Sequence, residues 1–232
     1  MLFLFQDPLG DDHGLGYLYP QAALYREAGE GFADLLALAG EAREGKLVLR
    51  VRLARYPNPL EGPLGFSLAT VILYLDTAPG GAEELSGTGL RTPGGEGWEV
   101  AYLLTGFGAE ERTSEGERRA VPARRVGEWV EVETSLPPGP YGYYGAVGLF
   151  DPFAPWYLRP TGPQGGPWTL MAPPGSPPVV DLLAKDPKLQ AEAYRTGVLR
   201  PVHKGGFAFR RESLLAFALG LLSLGLAFLL RR

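Results

Sequence analysis

Short segments in which apolar and polar residues alternate recur through the chain, separated by clusters of glycine and proline. Lys46–Ala54 is the clearest case, because Leu47, Leu49, Val51 and Leu53 fall on one face and Arg50 and Arg52 on the other. A period of two is typical of a half-buried β-strand. Further strands are predicted at Phe66–Asp76, Trp98–Phe107, Arg125–Glu133 and Tyr141–Phe150, although the alternation in Arg125–Glu133 is imperfect. Short helices are predicted only at Gln21–Arg26, Phe32–Ala39 and Val180–Ala193. The pattern predicts an all-β protein with an antiparallel β-sandwich.

The C-terminal segment has a different pattern, with no polar face. Ser213–Leu230 contains 18 residues without a charge, preceded by Arg210 and Arg211 and followed by Arg231 and Arg232. A helix of that length spans about 27 Å, close to the thickness of the bilayer hydrocarbon core. The sequence therefore predicts one C-terminal transmembrane helix. Its membrane anchor residues include Leu214, Ala216, Gly220, Ser223, Ala227 and Leu230. The four small residues of that set fall on one stripe, which could let another helix approach closely.

These patterns divide the chain into three parts. We predict a sandwich domain over residues 1–197, a juxtamembrane stalk over 198–211 and the membrane anchor over 212–232. The segment Pro152–Pro178, which is dense in proline and glycine, is predicted to wrap the sandwich as an ordered loop. Basic residues flank the anchor on both sides, so the positive-inside rule does not set its orientation.

Composition narrows the class of protein. Glycine (33) and proline (22) make up nearly a quarter of the chain, while a hydrophobic content of 45% still permits a real core. Arginine far outnumbers lysine, and cysteine is absent, which is typical of thermophilic proteins that avoid thermolabile residues. The formal net charge of −4 provides no basic field, so nucleic acid is not an expected partner.

An acidic loop near the N-terminus holds the strongest candidate for metal chemistry. Asp7, Asp11 and Asp12 lie within six positions, separated by glycine and proline. Glycines allow carboxylate oxygens to approach a hard cation closely, so the loop is a candidate structural calcium site. Asp76, at the end of a predicted strand, is a fourth candidate ligand. The alternative is that these aspartates only cap turns.

Catalytic motifs are missing from the sequence. His13 and His203 are the only histidines, and they are far apart in the chain. No nucleophile elbow, zinc spacing or phosphate loop occurs. Glutamates and arginines are mixed over 110–119, which is typical of a solvated hairpin tip. A non-enzymatic role is therefore predicted.

Sugar binding would need flat apolar rings with polar neighbours, because the C–H faces of pyranoses stack on aromatic side chains. The candidate carbohydrate-binding residues are Trp156, Tyr157, Tyr141, Tyr143 and Trp168, with Trp156 expected to be the most exposed. The alternative is that these rings pack the sandwich and fix the loop onto it.

Several ordered segments resemble one known family. They are Asp7–Pro20, Tyr56–Pro59, Gly65–Ser67, Tyr74–Gly81, Phe150–Phe153, Leu158–Pro160, Trp168 and Pro178–Leu182. In this order they resemble the C-terminal domain of glucodextranase, over about residues 5–185. That domain is similar to family-nine carbohydrate-binding modules.

The resemblance implies a non-catalytic β-sandwich at the cell surface, with structural calcium near the acidic loop and sugar held by aromatic rings. The expected function is a membrane-anchored module, with its soluble domain outside the cytoplasm, that binds carbohydrate or cell-envelope polysaccharide. An alternative is an extracytoplasmic accessory or scaffold subunit of a membrane protein complex. A third alternative is a haem-binding sandwich that uses Met1, Met171, His13 or His203 as ligands.

Overall fold

The computed structural model describes residues 1–202, and these form an all-β domain with two short helices. The strands, in chain order, are β1 (Phe3–Gln6), β2 (Leu35–Arg43), β3 (Lys46–Leu53), β4 (Ala69–Asp76), β5 (Glu84–Leu85), β6 (Leu90–Arg91), β7 (Val100–Thr105), β8 (Gly108–Thr113), β9 (Arg118–Val121), β10 (Ala123–Val126), β11 (Trp129–Glu133), β12 (Gly142–Leu149), β13 (Thr161–Gly162), β14 (Leu170–Met171) and β15 (Asp181–Leu182). The helices are α1 (Ala23–Ala28) and α2 (Pro187–Thr196).

Two antiparallel sheets form the sandwich. The first has the order β1-β2-β3-β11-β10, and the second has the order β15-β12-β4-β7-β8-β9. Both sheets contribute to a single apolar core, in which Leu49 of β3 and Leu73 of β4 are at most 1% exposed. The prediction of an antiparallel all-β architecture is confirmed.

The second sheet is covered on both faces. All eight residues of β4 and all eight of β12 are buried. In a sheet with one face open to solvent, buried and exposed residues would alternate along each strand. Tyr143 of β12 faces the first sheet, where its ring centroid lies 4.7 Å from that of Phe3. Tyr74 faces the other way and donates a hydrogen bond to the Ser86 carbonyl (2.6 Å). The segments around 84–98 and 151–158 therefore form an outer layer over the second sheet.

Two predicted helices differ from the structure. The run over residues 32–39 is not helical, because from Leu35 onward it is β2, paired with β1 and β3 on its two sides. A short apolar run does not distinguish a buried strand from a buried helix. Asp181 and Leu182 lie near the start of the third predicted helix but belong to β15. Helix α2 begins after Asp186, which caps it by accepting a hydrogen bond from Lys188 N (2.7 Å).

Two charged segments also differ from what the sequence pattern predicts. The predicted strand over 125–133 is a hairpin, because Gly127 adopts a φ of 61° between β10 and β11. This turn explains the imperfect alternation. The acidic and basic run over 110–119 is only partly solvated, since Glu111 and Arg112 are 6% and 2% exposed.

The domain continues past residue 197. Leu199 is 3% exposed, and Val202 pairs with Tyr143 across an isolated bridge. The predicted boundary at 197 therefore falls inside the packed region. No helix within residues 1–202 is long and apolar enough to cross a membrane. The predicted anchor (212–232) and the rest of the predicted stalk lie outside the described residues.

Candidate functional site

Four aspartates from distant parts of the sequence meet at the junction of the two sheets. Asp7 follows β1, Asp11 lies in the loop after it, Asp34 precedes β2 and Asp181 begins β15. The pairing of β1 with β2 brings the first three aspartates to one end of the first sheet. A hydrogen bond from Leu35 N to Asp181 Oδ2 (2.6 Å) joins that end to the second sheet.

The geometry of this aspartate cluster suits a hard cation. One carboxylate oxygen each from Asp7, Asp11 and Asp181 lies within 4.8 Å of the other two. Calcium binds oxygen ligands at about 2.3–2.6 Å, so two oxygens on one calcium ion can be at most about 5 Å apart. These three aspartates could therefore hold calcium.

Three of the carboxylates share one arrangement. Asp7 Oδ1 accepts from Ala184 N (2.6 Å), and Asp34 Oδ2 accepts from Gly10 N (2.7 Å). Asp181 is held in the same way by Leu35 N. In each case the second oxygen is buried and has no hydrogen-bond partner, and neither oxygen of Asp11 has one. Buried acceptors without partners are costly, and a bound cation could satisfy the converging oxygens of Asp7, Asp11 and Asp181.

The protonation behaviour of the cluster reflects its burial. Burial, helped by the charges of Asp11 and Asp34, raises the pKa of Asp7 to about 8. Burial and the neighbouring Asp34 charge raise the pKa of Asp11 to about 6. The pKa of Asp34 is also raised to about 6, and that of Asp181 lies well above its usual range, chiefly because of burial. The carboxylates cannot all be ionised at neutral pH without a compensating positive charge.

The two other predicted ligands, Asp12 and Asp76, are not among the aspartates whose oxygens converge. Asp12 Oδ2 accepts hydrogen bonds from the Tyr19 hydroxyl and from Gly31 N, so it braces the acidic loop. Asp76 pairs in register with Gly142 of β12, whereas Asp181 pairs with Val147 of the same strand. Those five positions along β12 correspond to roughly 17 Å. The structure therefore brings together Asp7 and Asp11 of the predicted set, but not Asp76.

Asp34 and Asp181 were missed as cluster members by the sequence reasoning. The sequence offers one signal for Asp181, which is its position in Pro178–Leu182, a segment that resembles the family. Helix α2 also supports the cluster through Gln190. Its side chain donates to the Asp11 carbonyl (2.6 Å) and accepts from Leu182 N (2.7 Å).

The segment that follows the acidic loop, Leu18–Ala22, holds the loop that carries Trp168. Leu18 and Met171 exchange two main-chain hydrogen bonds, of 3.0 and 2.9 Å. Two residues that follow the acidic loop, Gln21 and Ala22, donate to the carbonyls of Gly166 and Pro167, at 3.0 Å in each case. The aspartate cluster and the Trp168 loop are therefore parts of one hydrogen-bonded unit.

Among the five predicted sugar-binding aromatics, Trp168 is the most exposed. Its side chain is 52% exposed, its ring meets Tyr25 edge-on at 6.2 Å, and the Arg159 guanidinium lies 5.6 Å from its centroid. Tyr157 and Tyr141 are half-buried, and the Tyr141 hydroxyl donates to the Pro137 carbonyl (2.9 Å).

The positions of Tyr143 and Trp156 do not match their predicted exposure. Tyr143 is 1% exposed, because it points into the core between the sheets, and a ligand cannot reach it there. Trp156 is only half-exposed, because its ring packs against Trp98 (6.4 Å) and carries the Arg112 guanidinium at 4.4 Å. For these two residues the packing role weighed in the sequence analysis describes the structure better.

Comparison with known proteins assigns the family. A family model described as the C-terminal binding module, SLH-like, of glucodextranase matches residues 2–196. No curated protein matches the chain. The match spans nearly all of the described domain, including the acidic loop, β15 and α2. The chain therefore belongs to the family of the C-terminal, SLH-like binding module of glucodextranase.

Proposed function

We propose that the chain is a non-catalytic, membrane-anchored module that binds carbohydrate, such as a cell-envelope polysaccharide, outside the cytoplasm. The observation that carries this proposal is the match of residues 2–196 to a binding module. Function resides in sites rather than in folds, so the proposal also needs a surface on which a sugar could bind.

The surface that we propose is the ring of Trp168. Sugar recognition needs an exposed aromatic face held rigidly near polar groups. The loop that carries Trp168 is fixed by the main-chain bonds from Gln21 and Ala22, and Arg159 Nη1 donates to the Trp168 carbonyl (2.9 Å). The Arg159 guanidinium also lies 5.6 Å from the centroid of the Trp168 ring and helps to hold the ring in place. Because the loop is already ordered, little conformational entropy is lost when a ligand binds.

Replacing this ring should weaken sugar binding. We expect Trp168→Ala to lower the affinity of the full chain for its glycan by roughly tenfold, since loss of a stacking face costs about 1.4 kcal/mol. Isothermal titration calorimetry in a detergent without a sugar headgroup would measure this. Leu2→Ala is the matched control, because Leu2 is also 52% exposed but lies at the N-terminus. Equal affinities of the Trp168→Ala variant and the parent chain would refute Trp168 as the binding surface.

We further propose that calcium occupies the aspartate cluster in a structural role. The support is the set of unpartnered carboxylate oxygens on Asp7, Asp11 and Asp181, which converge within 4.8 Å of one another. These side chains would hold the ion, and Asp34 would add a fourth negative charge nearby. Calcium would supply the positive charge that lets the buried carboxylates ionise, and so would fix the acidic loop between the two sheets.

The membrane anchor remains a proposal that rests on sequence. It is supported by the 18 uncharged residues of Ser213–Leu230. The accessory-subunit alternative is supported by the stripe of Ala216, Gly220, Ser223 and Ala227. Reproducible copurification of other membrane proteins in mild detergent would favour that alternative. Recovery of a single, glycan-binding chain would favour the carbohydrate-binding module.

A further inference from the structure

A second aromatic surface lies on the outer face of the second sheet, at the turn between β7 and β8. Here a cleft of about 270 Å³ is open to solvent. Phe107, Phe150 and Tyr157 form its aromatic wall, and Leu103, Glu110 and Ala120 line its floor. The three rings follow one another, with centroids 5.1 Å apart for Phe107 and Phe150 and 6.1 Å apart for Phe150 and Tyr157.

The wall presents a fixed apolar face to solvent. Phe107 is 46% exposed and stacks on Phe150, which is 8% exposed, at an interplanar angle of 27°. The hairpin tip that carries Phe107 is held by Thr105, whose hydroxyl accepts from Phe107 N (3.2 Å) and lies 3.3 Å from the Gly108 carbonyl, to which it donates. An aromatic ring left exposed on a braced turn is a platform for a flat apolar ligand surface.

The floor supplies a hydrogen-bond acceptor. Glu110 is paired with Arg112, whose side chain is 3% exposed and whose Nη1 donates to the Pro155 carbonyl (2.7 Å). The carboxylate is thus held in place, and its charge is compensated by a buried guanidinium. A fixed carboxylate beside aromatic rings suits a neutral ligand that has an apolar face and hydroxyl donors, which is the chemistry of a pyranose.

The cleft and the Trp168 surface are connected through one side chain. Arg159 Nη1 donates to the Trp168 carbonyl (2.9 Å), and its Nη2 donates to the Phe150 carbonyl (3.1 Å). Asp151, which begins the loop between β12 and Tyr157, lies 3.6 Å from the same guanidinium. The two aromatic surfaces therefore keep a fixed spacing, as two contact points for one extended ligand require.

We propose that the Phe107–Phe150–Tyr157 cleft is a second sugar subsite, and that the module recognises an extended stretch of a neutral polysaccharide rather than a single sugar. This inference rests on the proposed function and deepens it. Two linked weak sites bind a ligand that spans them far more tightly than either site binds alone. Affinity for the polymer should therefore depend on ligand length.

Titration with oligosaccharides of increasing length tests this inference. The probes are neutral α-linked and β-linked glucose oligomers, from disaccharide to octasaccharide, added to the full chain in a detergent without a sugar headgroup. We expect the parent chain to bind the longest oligomers of one linkage much more tightly than the disaccharide. Phe107→Ala should lower the affinity for long oligomers about tenfold, so that it approaches the affinity for the disaccharide. Trp168→Ala should weaken both.

Two further variants keep the test independent of folding effects. Ala120→Trp would fill the cleft from the exposed strand β9, so it should abolish the gain with length as Phe107→Ala does. Leu189→Ala is the control, since Leu189 is 46% exposed, as Phe107 is, but lies on α2. Unchanged binding of long oligomers in both cleft variants, with Trp168→Ala still impaired, would overturn the second subsite and leave the proposed function standing. Absence of binding in the parent chain itself would overturn both.

Discussion

Calcium should raise the melting temperature of the domain by about 10 °C at a thousandfold excess over its dissociation constant. A ligand that binds only the folded state contributes about 4 kcal/mol at that excess, and each kcal/mol shifts the melting temperature of a domain of this size by roughly 2–4 °C. The aspartate cluster is the physical reason, because Asp7, Asp11 and Asp181 hold unpartnered oxygens within 4.8 Å of one another. Differential scanning calorimetry of the full chain, with calcium and with a chelator, would measure the shift.

The dependence of folding stability on pH should differ between the calcium-free and the calcium-bound protein. In calcium-free protein the pKa of Asp7 is raised by burial from an ordinary 3.8 to about 8, so the folded state binds more protons than the unfolded state between these values. Stability must then fall as pH rises through that window. Bound calcium competes with those protons, so its stabilising effect should grow over the same range. The chelated protein should therefore melt at a lower temperature near pH 8 than at mildly acidic pH, and calcium should remove most of this difference.

Magnesium provides the control for the calcium effect. Magnesium requires shorter bonds and a nearly octahedral shell, and it gives up its waters reluctantly, so an equal concentration should stabilise the domain much less. A melting temperature near pH 8 that does not change between calcium and chelator would contradict a structural cation at the cluster.

Asp181→Asn should change stability in opposite directions with and without calcium. In chelator near pH 8 we expect the variant to melt at a higher temperature than the parent chain. On folding, Asp181 must either bury its charge or take up a proton, whereas Asn does neither and its oxygen can still accept from Leu35 N. With calcium, the variant should lose at least about a third of the stabilisation, because the loss of a charged ligand weakens binding by at least about tenfold, or ~1.4 of the ~4 kcal/mol.

Asp76→Asn is the matched comparison for this variant. Asp76 is also a buried aspartate, 6% exposed, but it lies at the far end of β12 from Asp181. The same substitution there should leave the calcium response unchanged. If Asp181→Asn responded to calcium as the parent chain does, or if Asp76→Asn abolished the response, the assignment of the ligands would be wrong.

The sequence predicts best where local pattern decides the structure. The alternation in Lys46–Ala54 corresponds to β3, with Arg50 and Arg52 facing away from the core. Asp7 and Asp11 could be chosen because one short loop contains both. Asp34 and Asp181 could not be chosen, because only the pairing of β1 with β2 and the Leu35–Asp181 hydrogen bond bring them together. Tertiary contacts of this kind cannot be read from the spacing of residues along the sequence.

The aromatic residues show the same limit. Tyr141 and Tyr143 share a side of one strand by periodicity, yet which side faces the other sheet depends on how the sheets pack. In the structure, Tyr143 is buried against Phe3, and Trp156 packs against Arg112. Phe107 did not stand out in the sequence, since it ends a predicted strand, and its exposure follows from the turn after Thr105.

Binding of the full chain to a panel of insoluble α-glucans, β-glucans and purified cell wall, with and without calcium, tests the proposed function most directly. The account predicts saturable binding to one polymer that is weakened by Trp168→Ala and by chelation. Chelation acts because Gln21 and Ala22, which directly follow the acidic loop, hold the Trp168 loop. Absence of binding to every polymer, from a chain shown by calorimetry to be folded, would contradict it.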